Sequence, residues 1–197
     1  MHKGYPVPKY IFSDISCTKY DKPFIIMERI NGKLFGDAYM EVTLNEKEIM
    51  MNKFAELLYE LHQVDIPNKD NSYLSTSLID YELEEIKNMI SRYSLNSLID
   101  IYKWLNKNKN MISNLKPVIV HRDYHPWNVI INEGGKTFVI DWVWGIGDFR
   151  FDLAWLVSLL ERSGFEEIAQ KLYSSYERKS KKKIENFEYF EVLATLR

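Results

Sequence analysis

The sequence predicts an α+β domain, because strand-like and helical segments occur in separate runs along the chain. Short apolar runs with turn signals indicate strands before residue 30 and between residues 118 and 140. Apolar residues at helical spacing indicate helices between residues 43 and 105 and again after residue 152. With 197 residues, of which 46% are hydrophobic, the chain can bury one substantial core.

The first thirty residues predict strands. Residues 4–13 have the pattern of a loop followed by one strand, and the apolar run Phe24–Met27 predicts a second strand that leads into a turn. By its pattern alone, the run Phe24–Met27 fits an ordinary buried strand as well as it fits a strand with a functional role. It therefore indicates local structure and no particular function.

The following segment predicts helices. A capping box, Thr43-Leu44-Asn45-Glu46, begins a helix that ends at His62, and we expect the His62 ring to pack or to form hydrogen bonds rather than to bind a ligand. Residues 67–77 predict a polar connection, and a second helical region spans roughly residues 78–105. Ser163-Gly164-Phe165-Glu166 is expected to close one later helix and cap the next. The apolar stripe of the first helix comprises Met50, Phe54, Leu57, Leu58 and Leu61.

Residues 118–141 predict a strand hairpin preceded by a polar loop. Val118–Val120 leads into the loop and Val129–Ile131 leads out of it. Gly134-Gly135 predicts the hairpin turn, after which residues 137–140 return to Asp141. The hairpin is therefore expected to bring the loop and Asp141 to one end of a small sheet.

The polar loop has the H-R-D-x-x-x-x-N spacing of a kinase catalytic loop, from His121 to Asn128, and Asp141 follows Asn128 by thirteen residues. Mg²⁺ prefers hard oxygen ligands, so the Asn128 amide and the Asp141 carboxylate are suitable donors. Asp123 is then free to accept the proton, or the hydrogen bond, of an acceptor hydroxyl. These residues predict a phosphoryl-transfer site. The simpler alternative, a polar loop that happens to contain acids, is disfavoured by three separately placed residues.

A second interpretation treats His121, Asp123 and His125 as a metal-hydrolase cluster, because His-x-Asp-x-His can supply zinc ligands. Only four histidines and one cysteine, Cys17, occur in the chain, so further ligands of this kind are scarce. This interpretation also leaves the spacing from Asn128 to Asp141 unexplained.

Residues 117–160 resemble the aminoglycoside phosphotransferase and choline kinase family. The resemblance rests on three motifs in order: His-x-Asp-x-His-x-x-Asn, then Ile140-Asp141-Trp142, then Asp152-Leu153-Ala154. It implies a protein-kinase-like fold, represented mostly by the helical C-terminal lobe with a catalytic β-hairpin and a remnant of the N-lobe sheet. It also implies transfer of a phosphoryl group from ATP or GTP, with Mg²⁺, to a small-molecule acceptor.

Carried over by position, the resemblance implies that Asp123 is the catalytic base and that Asn128 and Asp141 bind magnesium. His121 and Asp152 would support the catalytic loop, Asp152 as a buried acid that braces its backbone. The apolar pattern after Asp152 is explained equally well if this residue is a helix N-cap, and both roles could hold together.

The resemblance places the nucleotide between two segments. Met27 would lie at the back of the adenine pocket, while the backbone carbonyl of Glu28 and the backbone amide of Ile30 would bind the adenine edge. Ile140 would contact the nucleotide from the hairpin. A peptide acceptor is not expected, because Phe151 follows Asp141 by only ten residues and leaves no room for an activation loop.

Several family features are missing from residues 1–30, which would end in the hinge between the two lobes. Residues 1–30 would form remnant N-lobe strands and the hinge, and residues 31–197 an incomplete C-terminal catalytic lobe. Residues 1–30 contain neither a glycine-rich phosphate loop nor a V-A-I-K-like run. We therefore expect residues 1–197 alone to bind ATP weakly and to self-associate through the exposed remnant. The alternative is a nonenzymatic, pseudokinase-like binding or scaffold module.

The two charged stretches are expected to be solvated. Residues 80–85 contain four acids that could line a pocket for a cationic acceptor, but a solvated helix face is the simpler expectation. The basic run 178–183 lacks interleaved aromatic residues, so we expect a solvated linker between helices rather than an RNA contact.

Bulk properties indicate the setting. A net charge of −2 gives no general attraction to nucleic acid or to an anionic membrane. The single cysteine excludes an intrachain disulfide and suits the reducing cytoplasm, where ATP is available. No apolar signal region or membrane span is apparent, so neither a nucleic-acid nor a membrane partner is expected.

Overall fold

A computed structural model describes residues 4–66, 75–143 and 145–196, with only the backbone described for residues 75–77. The predicted α+β class is confirmed, and the predicted polar connection lies outside the described residues except for the stretch 75–77. The strands are β1 Tyr10–Asp14, β2 Phe24–Met27, β3 Gly32–Leu34, β4 Pro117–Val120, β5 Val129–Asn132, β6 Thr137–Val139 and β7 Gly145–Asp148. The helices are α1 Phe35–Glu41, α2 Leu44–Leu61, α3 Ser75–Tyr93, α4 Ile99–Asn108, α5 Phe149–Arg162, α6 Glu166–Ser180 and α7 Phe187–Thr195.

The described strands form three small antiparallel sheets. β1 pairs with β2, β3 pairs with β5 and β5 with β6, and β4 pairs with β7. The pairing of β5 with β6 confirms the predicted hairpin, and its turn contains Gly135 at a φ of +74°, which glycine adopts without steric penalty. The Gly135 amide donates to the Asn132 carbonyl at 2.8 Å and closes the turn.

The first core lies between α2, α5 and α6. The predicted capping box is present, since the Glu46 amide donates to Thr43 and the Glu46 carboxylate accepts from the Thr43 amide. Phe35, Phe54 and Tyr124 stack in sequence with ring centroids 4.9 and 4.6 Å apart, and all three are buried. Further buried members are Leu57, Leu58, Leu61, Val129, Val139, Leu153, Leu156, Leu172 and Tyr176.

The second core joins α3, α4, α5 and α7. Phe151 of α5 meets Phe190 of α7 edge to face at 5.2 Å, and buried aliphatic residues surround this pair. Because α5 contributes to both cores, it is the helix around which the rest of the chain is arranged. The aliphatic members include Ile79, Leu83, Ile86, Leu105, Ala154, Leu193 and Ala194.

The structure refines several expectations about the helices. The predicted region 78–105 is interrupted, because α3 ends before Ser94, which has a φ of +55°, and a short 3-10 turn precedes α4. The expectation of a solvated acidic face was wrong for Glu82, which is 2% exposed. The basic run 178–183 is not simply a linker, since α6 continues to Ser180.

The β1–β2 sheet lies outside both cores. Ile11, Ile25 and Met27 are 58%, 62% and 49% exposed, respectively. The segment before β1 is nonetheless connected to the hairpin, because the Val139 amide donates to the Pro6 carbonyl at 2.9 Å. Separately, none of the helices in the described part of the chain is long and apolar enough to cross a membrane.

A buried carboxylate joins α5 to the loop after β4. Asp152 is fully buried, and its Oδ2 accepts from the His121 backbone amide at 2.7 Å while Oδ1 accepts from the Arg122 amide at 2.8 Å. His62 Nε2 lies 3.2 Å from Oδ2, and His62 Nδ1 is 2.7 Å from the hydroxyl of Tyr176. His62 is thus a hydrogen-bonded core residue, as predicted. The N-cap alternative for Asp152 was wrong, because Asp148 occupies that position and accepts from the Arg150 amide.

The pKa of Asp152 is lowered although the residue is buried. Burial by itself raises this pKa, but the hydrogen bonds from His62 and from the amides of His121 and Arg122 outweigh that effect. A carboxyl whose pKa is lower in the folded state stabilises the fold above its unfolded pKa of about 3.9. That contribution is lost as the pH falls through the folded pKa.

We expect Asp152→Asn to lower the free energy of unfolding by about 3–5 kcal/mol at neutral pH. Asparagine has one acceptor oxygen where aspartate has two. Its NH2 group would therefore face another donor, either a backbone N–H or the His62 ring. Urea unfolding from pH 7 down to pH 2 measures this loss, which should shrink below about pH 4.

Asp100→Asn is the matched control, because Asp100 is also a helical acid but its side chain is 92% exposed. Its effect should stay within about 0.5 kcal/mol. Equal effects of the two substitutions, or a loss in Asp152→Asn that does not depend on pH, would contradict the role assigned to Asp152.

Candidate active site

The loop between β4 and β5 is built by local hydrogen bonds. A 3-10 turn over Pro126–Asn128 follows His125, whose Nδ1 accepts from the Trp127 amide at 3.2 Å. Proline suits the first position of this turn, because it has no N–H to leave unpaired. Buried Tyr124 donates its hydroxyl to the Phe54 carbonyl at 3.0 Å, which fixes the centre of the loop in the first core.

Trp127 connects the same loop to α1. Its Nε1 donates to Asp37 Oδ1 at 3.0 Å, and the indole ring lies against the backbone of Gly36. A Cβ atom at Gly36 would come within 2.6 Å of the Trp127 ring, so a side chain at this position would displace the indole. No local pattern predicts this contact, since Asp37 of α1 precedes Trp127 by ninety residues.

Asp123 lies at the surface of the loop, with its side chain 33% exposed. Its backbone amide donates to His121 Nδ1 at 3.2 Å. Asn128 Nδ2 donates to the Asp123 carbonyl at 2.9 Å and to Asp123 Oδ2 at 3.3 Å. His125 Nε2 is 3.7 Å from the same carboxylate. The carboxylate is therefore oriented by its neighbours while remaining accessible to a substrate hydroxyl.

The backbone next to Asp141 is paired with that of Asn128 at the open end of the hairpin. The Ile140 amide donates to the Asn128 carbonyl at 2.9 Å, which places Asp141 next to Asn128 across the strands. The side-chain nitrogen of Asn128 points to Asp123, so Oδ1 is the atom that remains for a cation. Asp141 is exposed and has a φ of +59°. An amide oxygen with a carboxylate fits a hard divalent cation such as Mg²⁺.

His121 links the loop to the end of β6. Its Nδ1 accepts from the Asp123 amide, so Nε2 carries the hydrogen and donates to the Ile140 carbonyl at 2.9 Å. Burial lowers the pKa of His121, in agreement with a neutral ring. Both ring nitrogens are engaged, so His121 is not placed to bind a metal. The metal-hydrolase interpretation is accordingly not supported, and no cluster of three metal-binding side chains occurs among the described residues.

The residues expected at the nucleotide lie on two separate sheets. Met27 and Glu28 are at the end of β2, where the Glu28 amide donates to the Lys9 carbonyl at 2.8 Å, and Ile30 is half-buried just beyond. Ile140 follows β6 and its carbonyl accepts from His121. Within the described ranges, no hydrogen bond or ring contact joins Met27, Glu28 or Ile30 to Asp123, Asn128 or Asp141.

Arg122 and Glu82 form an ion pair that the sequence did not predict. Arg122 Nη2 lies 2.5 Å from Glu82 Oε1, and both side chains are largely buried. Arg122 stands within the motif itself, but its partner is on α3, forty residues earlier in the chain. The charge pattern alone could not distinguish Glu82 from the other acids of that helix.

The chain matches the model of the phosphotransferase enzyme family over residues 2–185. A comparison with curated proteins found no match. Among solved structures, an aminoglycoside-3′-phosphotransferase of type VIII is 15% identical with a TM-score of 0.70, and the match covers 98% of this chain and 75% of that one.

Two further structures extend this comparison. The streptomycin–ATP–APH(2″)-IIa ternary complex is 21% identical with a TM-score of 0.64, and the choline kinase LicA from Streptococcus pneumoniae is 16% identical with a TM-score of 0.63. Each match covers 97% of this chain and 64% of the other.

At these identities the solved structures show the fold alone, and that fold is the protein-kinase-like α+β fold which the motifs implied. The family assignment rests instead on the match to the family model, which covers residues 2–185. The chain belongs to the phosphotransferase enzyme family.

Proposed function

We propose that this protein transfers the γ-phosphoryl group of ATP or GTP to a hydroxyl group of a small molecule. The observation that carries this proposal is the constellation at the end of the hairpin. There Asn128 contacts Asp123 directly and is paired through its backbone with the residue before Asp141. Family membership supports the same reaction type.

Asp123 is proposed to orient the acceptor hydroxyl and to accept its proton as the oxygen attacks the γ-phosphorus. The bond from the γ-phosphorus to the bridging oxygen breaks, and the nucleoside diphosphate leaves with the electron pair. Two hydrogen-bond partners support this role: Asn128 donates to Asp123, and the Asp123 amide donates to His121, so Asp123 is oriented before the substrate arrives.

Asn128 Oδ1 and the Asp141 carboxylate are proposed to hold Mg²⁺. When bound, the ion neutralises charge on the nucleotide phosphates. The exposure of Asp141 and the pairing of the neighbouring backbone with Asn128 support this role.

Met27, Glu28, Ile30 and Ile140 are proposed to contact the nucleotide. The proposed division places residues 1–30 in an N-terminal remnant with the hinge and residues 31–197 in the catalytic lobe. The ATP complex of APH(2″)-IIa supports nucleotide binding in this fold. Use of ATP, together with a single exposed cysteine, favours the cytoplasm as the site of action.

A small acceptor with amino groups is proposed, because the similar structures include a streptomycin complex and a choline kinase. Glu82 is excluded from direct binding of the charged group of that acceptor, since it is buried against Arg122.

We expect Asp123→Asn to lower acceptor-dependent ATP consumption by about 10²–10⁴-fold, the usual contribution of a general base. The assay uses a panel of amino alcohols and aminosugars. It is run on residues 1–197 and on any longer chain that the open reading frame encodes. Glu133→Gln, at the exposed turn of the hairpin, is the control and should retain activity. Turnover of Asp123→Asn within a fewfold of the unsubstituted protein would contradict the assignment.

We expect Mg²⁺ to bind only when a nucleotide is present, because it is usually completed by substrate phosphates. Asp141→Asn should reduce the effect of Mg²⁺ on nucleotide affinity at least about tenfold, or 1.4 kcal/mol. Asparagine tolerates the left-handed backbone, so only the charge is removed. Calorimetry with and without EDTA measures this. Tight stoichiometric Mg²⁺ binding to the nucleotide-free protein would be incompatible with the proposal.

The exposed β1–β2 sheet is proposed to cause self-association. Exposed apolar strands offer unpaired backbone groups and apolar surface to a second copy. Light scattering should show the mass rising above 23.5 kDa with concentration. Replacing Ile25 and Met27, which lie on one face of β2, by lysine should restore a monomer. Leu44→Lys, on an exposed helix position, is the control. A monomer at every concentration would argue against this proposal.

A further inference from the structure

We propose that Glu82 is a positioning residue for Asp123 and acts through its ion pair with Arg122. The inference rests on the proposed phosphoryl transfer, because it concerns the orientation of the same aspartate. It assigns to helix α3 a part in the reaction that neither the motif spacing nor the family match indicates.

The guanidinium group of Arg122 is enclosed by three neighbours. Glu82 Oε1 is 2.5 Å from Nη2, and the side chains of Arg122 and Glu82 are 12% and 2% exposed. The ring centroid of Tyr81 is 5.6 Å from the guanidinium carbon. A Cβ added to Gly145 of β7 would lie 2.9 Å from Arg122 Nε, so β7 approaches closely as well. The side chain therefore has a defined position rather than a solvated one.

The backbone of Arg122 is also unusual. Its φ of +72° is left-handed, which is unfavourable for a residue with a Cβ atom. The Arg122 amide is held by Asp152 Oδ1 at 2.8 Å. Residue 122 is thus fixed through its backbone by α5 and through its side chain by α3. Because Asp123 follows directly, a rotation about the Arg122 dihedral angles would move the Asp123 carboxylate.

The hydrogen bonds within the loop do not replace the ion pair between Glu82 and Arg122. His121 and Asn128 fix Asp123 relative to the loop and the hairpin. Glu82 adds a contact from α3, an element outside both the loop and the hairpin. An error of about 1 Å in the position of a catalytic group can lower a rate about a hundredfold, so a second anchor has a kinetic consequence.

Stability alone is a weak explanation for the pair. Removing two charges from water largely offsets the attraction between them, and buried ion pairs replaced by apolar residues often leave stability unchanged or higher. Direct acceptor binding by Glu82 is also excluded by its burial and by the opposite charge beside it. Orientation of the loop is the role that agrees with both facts.

Five variants separate these roles, and one of them, Arg122→Lys, keeps the positive charge. Arg122→Gly removes the guanidinium and suits the left-handed backbone, whereas Glu82→Leu removes the carboxylate. The double variant removes both charges of this ion pair. Glu84→Gln is the matched control on the same helix, because Glu84 pairs with Lys87 on the exposed face. Each protein is assayed for kcat, for KM, for thermal stability and for hydrogen exchange of residues 117–124.

We expect each single substitution to lower kcat about 10- to 100-fold while the KM for nucleotide changes less than about twofold. Arg122→Lys, which keeps the charge, should lose less. In the double variant the melting temperature should recover and kcat should not. Hydrogen exchange at residues 121–123 should be faster than in the unsubstituted protein, and Glu84→Gln should match the unsubstituted protein throughout.

Recovery of kcat together with stability in the double variant would overturn the proposal, because the pair would then be structural only. Unchanged turnover in Arg122→Gly would overturn it too. If no acceptor supports turnover by the unsubstituted protein, the proposed function fails separately. Hydrogen exchange still tests the pair in that case, and unchanged exchange at residues 121–123 in both single variants would overturn it.

Discussion

The hydrogen bonds received by the buried Asp152 carboxylate are the interaction on which the rest of the site depends. They join the loop after β4 to α5, which contributes buried residues to both cores. The carboxylate remains ionised because His62 and two backbone amides supply it with donors. An element placed deep in the protein thereby determines where the backbone of Arg122 lies, and with it the start of the segment that contains Asp123 and Asn128.

Two of the described non-glycine residues that have a left-handed backbone lie in this region. Arg122 and Asp141 both adopt left-handed backbone conformations although neither is glycine. An unfavourable backbone conformation persists where several contacts with the surrounding structure hold it. Asp152 and Glu82 do so for Arg122. Two hydrogen bonds hold the backbone before Asp141. The Ile140 amide donates to the Asn128 carbonyl, and the Ile140 carbonyl accepts from His121. The Asp141 side chain is exposed at this point, whereas the Arg122 side chain turns inward to Glu82.

The N-terminal sheet contrasts with this part of the molecule. Phe24 contacts Phe12 and Tyr20 within the same exposed sheet, with ring centroids 6.1 and 5.2 Å apart. Both strands lie outside the two cores, and the Pro6 carbonyl provides a bond from the preceding segment to the hairpin. The proposed catalytic residues accordingly rest on the well-packed region, whereas the proposed adenine contacts at Met27, Glu28 and Ile30 rest on the exposed one. The expectation of weak nucleotide binding rests on a different feature, namely that residues 1–30 contain neither a glycine-rich phosphate loop nor a V-A-I-K-like run.

The sequence by itself determined the elements whose signals are local. The capping box at Thr43 and the glycine turn at Gly135 depend on neighbours a few residues away, so their patterns predicted structure correctly. Only the tertiary structure decided that Asp152 braces the loop instead of capping α5, and that Glu82 is buried against Arg122. The partners concerned are thirty to forty residues distant in sequence. Periodicity records which face of a helix is apolar, but it does not record which distant polar group that helix will meet.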